Sequence, residues 1–226
     1  MQNSEANNSL IVSFLTLRRL IGILGIALPL VMLFYSFEVS CCCVLQESIS
    51  AYYHTDMRNI FVGILCAVGV FMMTYKGYDL KDTVFSIVAG FFALCVANLP
   101  TDTLAVCGND CYASHSIGLL HYTAAAGLFL AFAYMSLFLF TKSAGTMTPE
   151  KKKRNVIYRV CGYTILVSLG LIVVHKSIGG IVPESIQPVF WLEAISLFAF
   201  GISWLVKGGT ILRDKAVRGT TISTNA

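Results

Sequence analysis

The stretch LIGILGIALPLVMLFYSF, residues 20–37, decides the fold class of this chain. It contains no charged side chain, and Arg18 and Arg19 stand directly before it. A helix needs about 20 predominantly apolar residues to cross the hydrocarbon core of a bilayer. The segment is longer than the apolar part of a typical signal peptide, and no Ala-x-Ala cleavage site follows it. We therefore expect it to remain in the protein as a membrane-spanning helix.

The rest of the chain repeats this pattern. Of 226 residues, 56% are hydrophobic and 12% are charged, whereas about a quarter of the residues in a soluble domain are charged. So few charged side chains could not cover a globule in water. The expected spans are residues 20–37, 59–75, 84–99, 117–141, 156–174 and 189–206. The sequence predicts an all-α, polytopic bundle of about six transmembrane helices, forming a single domain over residues 1–226.

The basic residues indicate how this bundle is oriented. Fourteen of the 16 Lys and Arg residues flank the spans on one set of alternate sides, and only Arg58 and Lys176 lie on the other. The positive-inside rule then predicts that both termini face the cytoplasm. The net charge of +4 reports this topology and does not indicate a nucleic-acid partner, which requires a basic patch on a soluble face. Without an organelle signal, the plasma membrane (or bacterial inner membrane) is the expected location.

Five of the eight cysteines fall in the predicted outer loops. An oxidising compartment favours disulfides between them, although the sequence does not fix their connectivity. The alternative is a soft-metal site of thiolates, which would need reduced cysteines. We therefore expect disulfides, and neither a metal nor a cofactor. The disulfide candidates are Cys41, Cys42, Cys43, Cys107 and Cys111.

Ionisable residues also gather near the predicted outer ends of the spans. Such groups are costly at the edge of a bilayer, so each needs a role or a partner. A polar pocket built from them could bind a ligand, hold a metal, or provide an acid and a base for cleaving a lipid ester. The candidate ligand-binding residues are His54, Asp56, Arg58, Asp102, His121 and Glu193.

A structural explanation of the same residues stays open. Arg58 could neutralise Glu193 or Asp102, and His121 could hydrogen-bond a neighbouring helix, because polar contacts of this kind hold membrane helices together. A Ser–His nucleophile lacks the Gly-x-Ser-x-Gly context that would support it.

A basic run at residues 151–154 lies on the predicted cytoplasmic side. It could attract anionic lipids, although its role in orienting the chain is explanation enough. Just before it, Thr148 and Pro149 are typical of a helix cap and a first helical residue, and predict a helix leading into the fifth span.

Four short motifs occur in order along residues 15–210. They are Ser48-Ile49-Ser50-Ala51 before the second span, Val96-Ala97-Asn98 ending the third, His121 with Ala124, Ala125, Phe129 and Tyr134 in the fourth, and Glu193 in the last. This order resembles the DRAM family of damage-regulated autophagy modulators, its FRAG-type relatives in GPI-anchor lipid remodelling, and bacterial six-span membrane proteins of unknown function. Ala51 departs from the pattern, since the family has an acid there. The resemblance implies a six-helix bundle with polar groups at its outer mouth and a lipid-handling or regulatory role.

These observations favour a non-enzymatic integral membrane protein. It would bind lipid headgroups, or another membrane protein, through a polar pocket at the extracytoplasmic mouth. The alternative is a membrane-embedded lipid hydrolase or acyltransferase that uses His54, Asp56, His121 and Glu193. A transporter is less well supported, because no pair of matching spans is visibly interrupted by Gly or Pro.

Overall fold

The computed structural model describes residues 2–39, 45–77, 79–102, 115–143, 147–179 and 182–212. These residues form helices and no strand, so the all-α class is confirmed. The main helices are α1 (Gln2–Phe34), α2 (Arg58–Thr74), α3 (Leu80–Asn98), α4 (His115–Tyr134), α5 (Pro149–Ser177) and α6 (Pro188–Lys207). A π-helical turn extends α1 over Tyr35–Val39 and another extends α4 over Met135–Leu139, while short 3-10 helices cover Ser50–His54 and Glu184–Ile186.

Five of these helices are long and apolar enough to cross a membrane. The spanning portions are Phe14–Phe37, Leu80–Asn98, Ile117–Leu139, Pro149–Ser177 and Pro188–Lys207. The sixth helix, α2, is apolar but has 17 residues, so it is about 26 Å long against a hydrocarbon core of about 30 Å. The chain is thus a multi-pass helical membrane protein. A sixth crossing by α2 and the orientation with both ends inside stay predictions.

Local sequence explains where two helices begin. The Asp79 side chain accepts a hydrogen bond from the backbone N–H of Asp82 at 2.9 Å, which caps α3. The Thr148 side chain accepts from the backbone N–H of Lys151 at 3.1 Å, and Pro149 follows as the first residue of α5. The cap and first residue predicted for that helix are confirmed. Such caps satisfy backbone donors that have no partner within the helix.

The helices form a closed ring in which each packs against its neighbours in sequence and α6 packs against α1. The α1–α6 seam depends on two facing glycines. A Cβ atom at Gly22 would lie 2.8 Å from the carbonyl oxygen of Gly201, and one at Gly201 would lie 2.7 Å from that of Gly22. Small residues of this kind let membrane helices approach backbone to backbone.

The bundle has two chemically different ends. At the first, here called the histidine end, α1, α3 and α5 finish and α2, α4 and α6 begin. At the opposite end, here called the basic end, α2, α4 and α6 finish and α3 and α5 begin. All six predicted ligand-binding residues lie within about two turns of the helix ends at the histidine end.

Candidate functional site

His54 joins the segment before α2 to the segment after α3. It is the last residue of the 3-10 helix Ser50–His54. Its Nε2 lies 3.0 Å from the carbonyl oxygen of Thr101 and 3.1 Å from the Thr101 hydroxyl. Because a carbonyl oxygen can only accept, Nε2 carries the proton that is donated to Thr101. The rest of the His54 side chain is exposed.

His121 holds the same segment from the other side. It lies in the second turn of α4 and is 1% exposed. Its Nδ1 donates a hydrogen bond of 2.7 Å to the carbonyl oxygen of Leu99, the residue that follows α3. The bond is of the kind that the structural explanation of His121 offered, although its acceptor is the residue after the helix and not one within it. In the neutral ring Nε2 is then an acceptor, and this buried atom has no hydrogen-bond partner among the described residues.

Asp102 reaches this region because α4 has a glycine opposite it. The Asp102 carboxylate occupies the space that a Cβ atom at Gly118 would need. The backbone of Asp102 also interacts with the hydroxyl of Tyr122. Gly118 lies one turn before His121. The same side of α4 therefore leaves space for the Asp102 carboxylate and supplies the His121 ring that hydrogen-bonds the backbone of Leu99. Sequence reasoning missed Gly118, because a glycine in an apolar helix carries no signal of what lies opposite.

Glu193 has a separate partner, the loop between α1 and α2. Its Oε2 accepts a hydrogen bond of 2.7 Å from the backbone N–H of Ile49, and the N–H of Ser50 also interacts with this carboxylate. The backbone N–H of Phe190 in turn donates to the carbonyl oxygen of Glu47 at 3.1 Å. The first turns of α6 therefore hold the loop by both main chain and side chain.

Arg58 contacts neither of the acids that the sequence offered as partners. Its guanidinium donates a hydrogen bond of 2.6 Å to the Tyr53 hydroxyl and lies 4.3 Å from the centre of the Tyr53 ring. The Tyr53 hydroxyl donates at 3.4 Å to the carbonyl oxygen of Asn98. Asp56 is exposed. The six candidates thus divide into His54, His121 and Asp102 around the end of α3, Glu193 on the loop, and Asp56 and Arg58 near solvent.

Acidic residues outnumber cationic ones at this end. The acids whose side chains the structure describes here are Glu47, Asp56, Asp102, Glu184 and Glu193, and the corresponding Arg and Lys residues are Arg58 and Lys176. The only acid–Lys contact within 4 Å that the structure describes here is loose, with Lys176 Nζ 3.9 Å from Glu47 Oε2. His175, which is 3% exposed, lies 3.1 Å from Glu184 through its Nε2. The histidine end therefore has more carboxylates than its own cations can balance.

A buried tyrosine supports the site from inside the bundle. Tyr52 is fully buried, and its hydroxyl is hydrogen-bonded to the hydroxyl of Ser36. Because the Ser36 hydroxyl donates to the carbonyl oxygen of Met32 at 3.0 Å, Tyr52 is the donor of the bond between them. This bond anchors the 3-10 helix that carries His54. No feature of the sequence marked Tyr52 for this role.

The described residues bring together no group of three His, Cys, Asp or Glu side chains that could hold a metal ion. All five disulfide candidates (Cys41, Cys42, Cys43, Cys107 and Cys111) lie outside the described residues, so disulfide formation between them stays a prediction. The three cysteines that are described, Cys66, Cys95 and Cys161, are free thiols.

An ionic cluster caps the basic end. The ammonium of Lys142 lies 2.9 Å from Asp79 and 2.6 Å from Asp82, which is 3% exposed. The hydrogen bond from Lys142 holds the pKa of Asp79 below its ordinary value of 3.8. The hydrogen bonds to Asp82 and Asp79 raise the pKa of Lys142 above its ordinary value. The first turn of α3 is thereby fastened to the segment after α4.

An apolar groove of about 460 Å³ lies between α3 and α4. Its lining includes Phe85, Phe92, Gly127, Phe138 and, from α5, Leu166. In a bilayer, hydrocarbon chains would fill a groove of this composition, so it implies no specific ligand.

Comparison with known proteins adds no relative: no family model, curated protein or solved structure matches the chain. The class of the protein therefore rests on its own features. Its apolar helices define a multi-pass integral membrane protein, and its candidate site is a set of polar side chains where three helices end and three begin.

Proposed function

We propose that this integral membrane protein binds membrane lipids through the histidine end, without catalysing a reaction. The preferred ligand is a lipid whose headgroup carries an amine cation, such as ethanolamine or choline. The observation that carries this proposal is the charge balance at that end, where, among the side chains that the structure describes, five acids accompany two Arg or Lys residues. In the orientation favoured by the basic residues, this end faces the outside.

Two further features support this ligand class. Helix ends of a spanning bundle lie at the depth of the lipid headgroups, so a headgroup need not leave the membrane to reach them. The Nε2 atom of His121 is an acceptor that lacks a donor among the described residues, and the primary ammonium of an ethanolamine headgroup supplies donors, whereas choline would contribute its charge alone. Among the residues that the structure describes, neither His54 nor His121 hydrogen-bonds to a serine. The motifs similar to the DRAM and FRAG-type proteins point in the same direction, towards handling lipids.

The test measures lipid preference in a neutral detergent, with short-chain phosphatidylethanolamine, phosphatidylcholine and phosphatidylglycerol as probes. Native mass spectrometry counts the lipid retained on the purified protein. We expect both amine lipids to be retained better than the glycerol lipid. A variant with Glu47→Gln and Asp56→Asn should bind them about three- to tenfold more weakly, since an exposed charge pair contributes up to about 1 kcal/mol.

The matched control is Asp79→Asn, which makes the same chemical change at the basic end and should leave amine-lipid binding unchanged. Equal retention of all three lipids, or an equal loss in the control, would contradict the proposal. So would lipid turnover that disappears in His121→Ala, since that result would make the protein a hydrolase or acyltransferase. Stoichiometric capture of one membrane protein, with no lipid preference, would make the histidine end a protein-docking site.

A further inference from the structure

The exposed apolar face of α5 continues past the end of the helix. Val167, Leu171 and Val174 are exposed and lie within the portion of α5 that is apolar enough to span a membrane. Their spacing places them on one face of the helix. Ile178 follows at the same spacing as the C-cap residue of α5 and is 66% exposed. The face that hydrocarbon covers along the span therefore extends to the first residue of the loop between α5 and α6.

Two further apolar side chains of this loop are exposed. They are Val182 and Ile186, and Ile186 belongs to the short 3-10 helix before α6 and is 55% exposed. Ile178, Val182 and Ile186 are here called the apolar rim. Single apolar side chains scattered over a protein surface need no explanation. These three belong to one short loop between two spanning helices, and they continue a surface that faces lipid.

Charged groups in and beside the same loop have partners within the protein. The Glu184 carboxylate lies 3.1 Å from Nε2 of His175, which is buried. The ammonium of Lys176 lies 3.9 Å from the carboxylate of Glu47, in the loop between α1 and α2. Large apolar side chains are left on the outside, although burial away from water is the environment that favours them. The outside of this loop therefore suits an apolar surrounding better than water.

The backbone next to the apolar rim is also suited to such a surrounding. The N–H of Ile178 donates a hydrogen bond of 3.1 Å to the carbonyl oxygen of Val174, and the N–H of Ile186 donates one of 3.1 Å to that of Pro183. Pro183 itself has no N–H. Backbone groups without partners are costly in contact with lipid. The donors of these two rim residues already have acceptors, so that cost does not arise for them.

We propose that the apolar rim inserts into the leaflet at the histidine end and anchors the α5–α6 loop in the membrane interface. The bilayer is the apolar phase nearest to the rim, because both helices that the loop joins run through it. Apolar faces that bind in this way lie about 5–10 Å into the boundary between headgroups and acyl chains. Trp191, exposed in the first turn of α6, favours the same depth. The contact is with acyl chains and does not depend on headgroup charge, so it is independent of the amine-lipid proposal.

The experiment places a fluorescent probe on the rim of the full chain, in phosphatidylcholine nanodiscs. The lipid carries bromine, a quencher, either near the headgroup or near the bilayer centre. Ile186→Trp is the rim probe, and Ser185→Trp is the matched control on the adjacent exposed residue of the same 3-10 helix. Neighbouring residues of a 3-10 helix point about 120° apart. The fluorescence of the unaltered chain is subtracted, because Trp191 and Trp204 contribute to every sample.

We expect shallow bromine to quench Ile186→Trp more strongly than deep bromine does, and more strongly than it quenches Ser185→Trp. The emission of Ile186→Trp should also lie at shorter wavelength than that of the control, because an indole ring in lipid is shielded from water. Iodide, a quencher confined to water, gives the complementary measurement. It should reach Ser185→Trp better than Ile186→Trp.

Two results would overturn the proposal. The first is equal quenching of the two variants by shallow bromine, which would leave the rim in water. The second is quenching of Ile186→Trp by neither bromine nor iodide, since the rim would then be covered by protein, either a second copy of this chain or another membrane protein. Ile178→Trp is a second rim probe with the same expected result. It decides the matter if size-exclusion profiles and thermal unfolding show that Ile186→Trp is not folded.

Discussion

Removal of the Glu193 side chain provides the sharpest test of how α6 holds the loop at the histidine end. Its carboxylate accepts from the N–H of Ile49 at 2.7 Å, and Ile49 and Ser50 are 2% and 8% exposed. Glu193→Ala leaves these buried donors without their acceptor, at a cost of about 1–3 kcal/mol for each unsatisfied group. We expect a total loss of about 2–4 kcal/mol in the free energy of unfolding.

Glu193→Gln separates the acceptor from the charge. The Gln side-chain carbonyl reaches the same place and still accepts, so only the extra strength of a charge-assisted bond is lost, about 1 kcal/mol. Thermal unfolding in detergent measures both variants. For a chain of this size, 1 kcal/mol corresponds to about 2–4 °C in Tm. The expected decreases in Tm are therefore about 2–4 °C for Gln and about 4–16 °C for Ala.

The control is Asp56→Ala at the same end, where the side chain is exposed and the change should stay within about 0.5 kcal/mol. Hydrogen exchange gives a local measurement beside the global one. Protection of the Ile49 amide should fall in Glu193→Ala and be retained in Glu193→Gln. Equal Tm values for Glu193→Ala and Asp56→Ala would refute the reasoning, as would an unchanged exchange rate at Ile49.

Three further predictions concern the scaffold. Asp79→Asn should destabilise the protein at neutral pH but not at pH values below the folded-state pKa of Asp79. The hydrogen bond from Lys142 lowers that pKa, so the contribution of the carboxylate is fully present above its ordinary pKa of 3.8 and is lost as pH falls through the folded value. Unfolding of both proteins across pH measures this, and a difference independent of pH would contradict it. Gly201→Ala should be about 1–3 kcal/mol less stable than Gly63→Ala. A Cβ atom at Gly201 would lie 2.7 Å from the backbone of α1, whereas one at Gly63 would meet nothing within 4 Å. Both variants gain the same helix propensity, so equal Tm values would contradict a close approach of α1 and α6 at this seam. Thr148→Ala should cost about 1 kcal/mol, seen as faster hydrogen exchange in the first turn of α5, and Thr148→Ser should restore protection.

The sequence predicts the helices well because their cause is local. Apolar length and charge placement decide where a helix can sit in a bilayer, and Thr148 marks the start of α5 through its own hydrogen bond. The prediction begins the third span at residue 84, whereas α3 begins at Leu80. The difference arises because Asp82 is charged, so the sequence predicts that it lies outside the span. In the fold it is buried and paired with Lys142, which is 60 residues away in the chain. Such a pairing depends on the fold and has no local signature.

The site is predictable in composition and much less so in its partners. Its ionisable residues could be identified because charges near a bilayer are rare and conspicuous. The partner of Arg58 could not, since the choice of Tyr53 over an acid follows from the turn between the 3-10 helix and α2. The same holds for Gly118 and Asp102, whose fit depends on how closely α3 and α4 approach.

The seam of Gly22 and Gly201 has a consequence for how the protein is made. Membrane helices insert separately and then associate, and α1 leaves the ribosome long before its partner α6 exists. Until then the glycine face of α1 has no matching surface, and any stabilisation from ring closure waits for the sixth helix. Nascent chains halted before that helix should therefore be exposed to quality-control proteases and chaperones, and assembly should finish in one late, cooperative step.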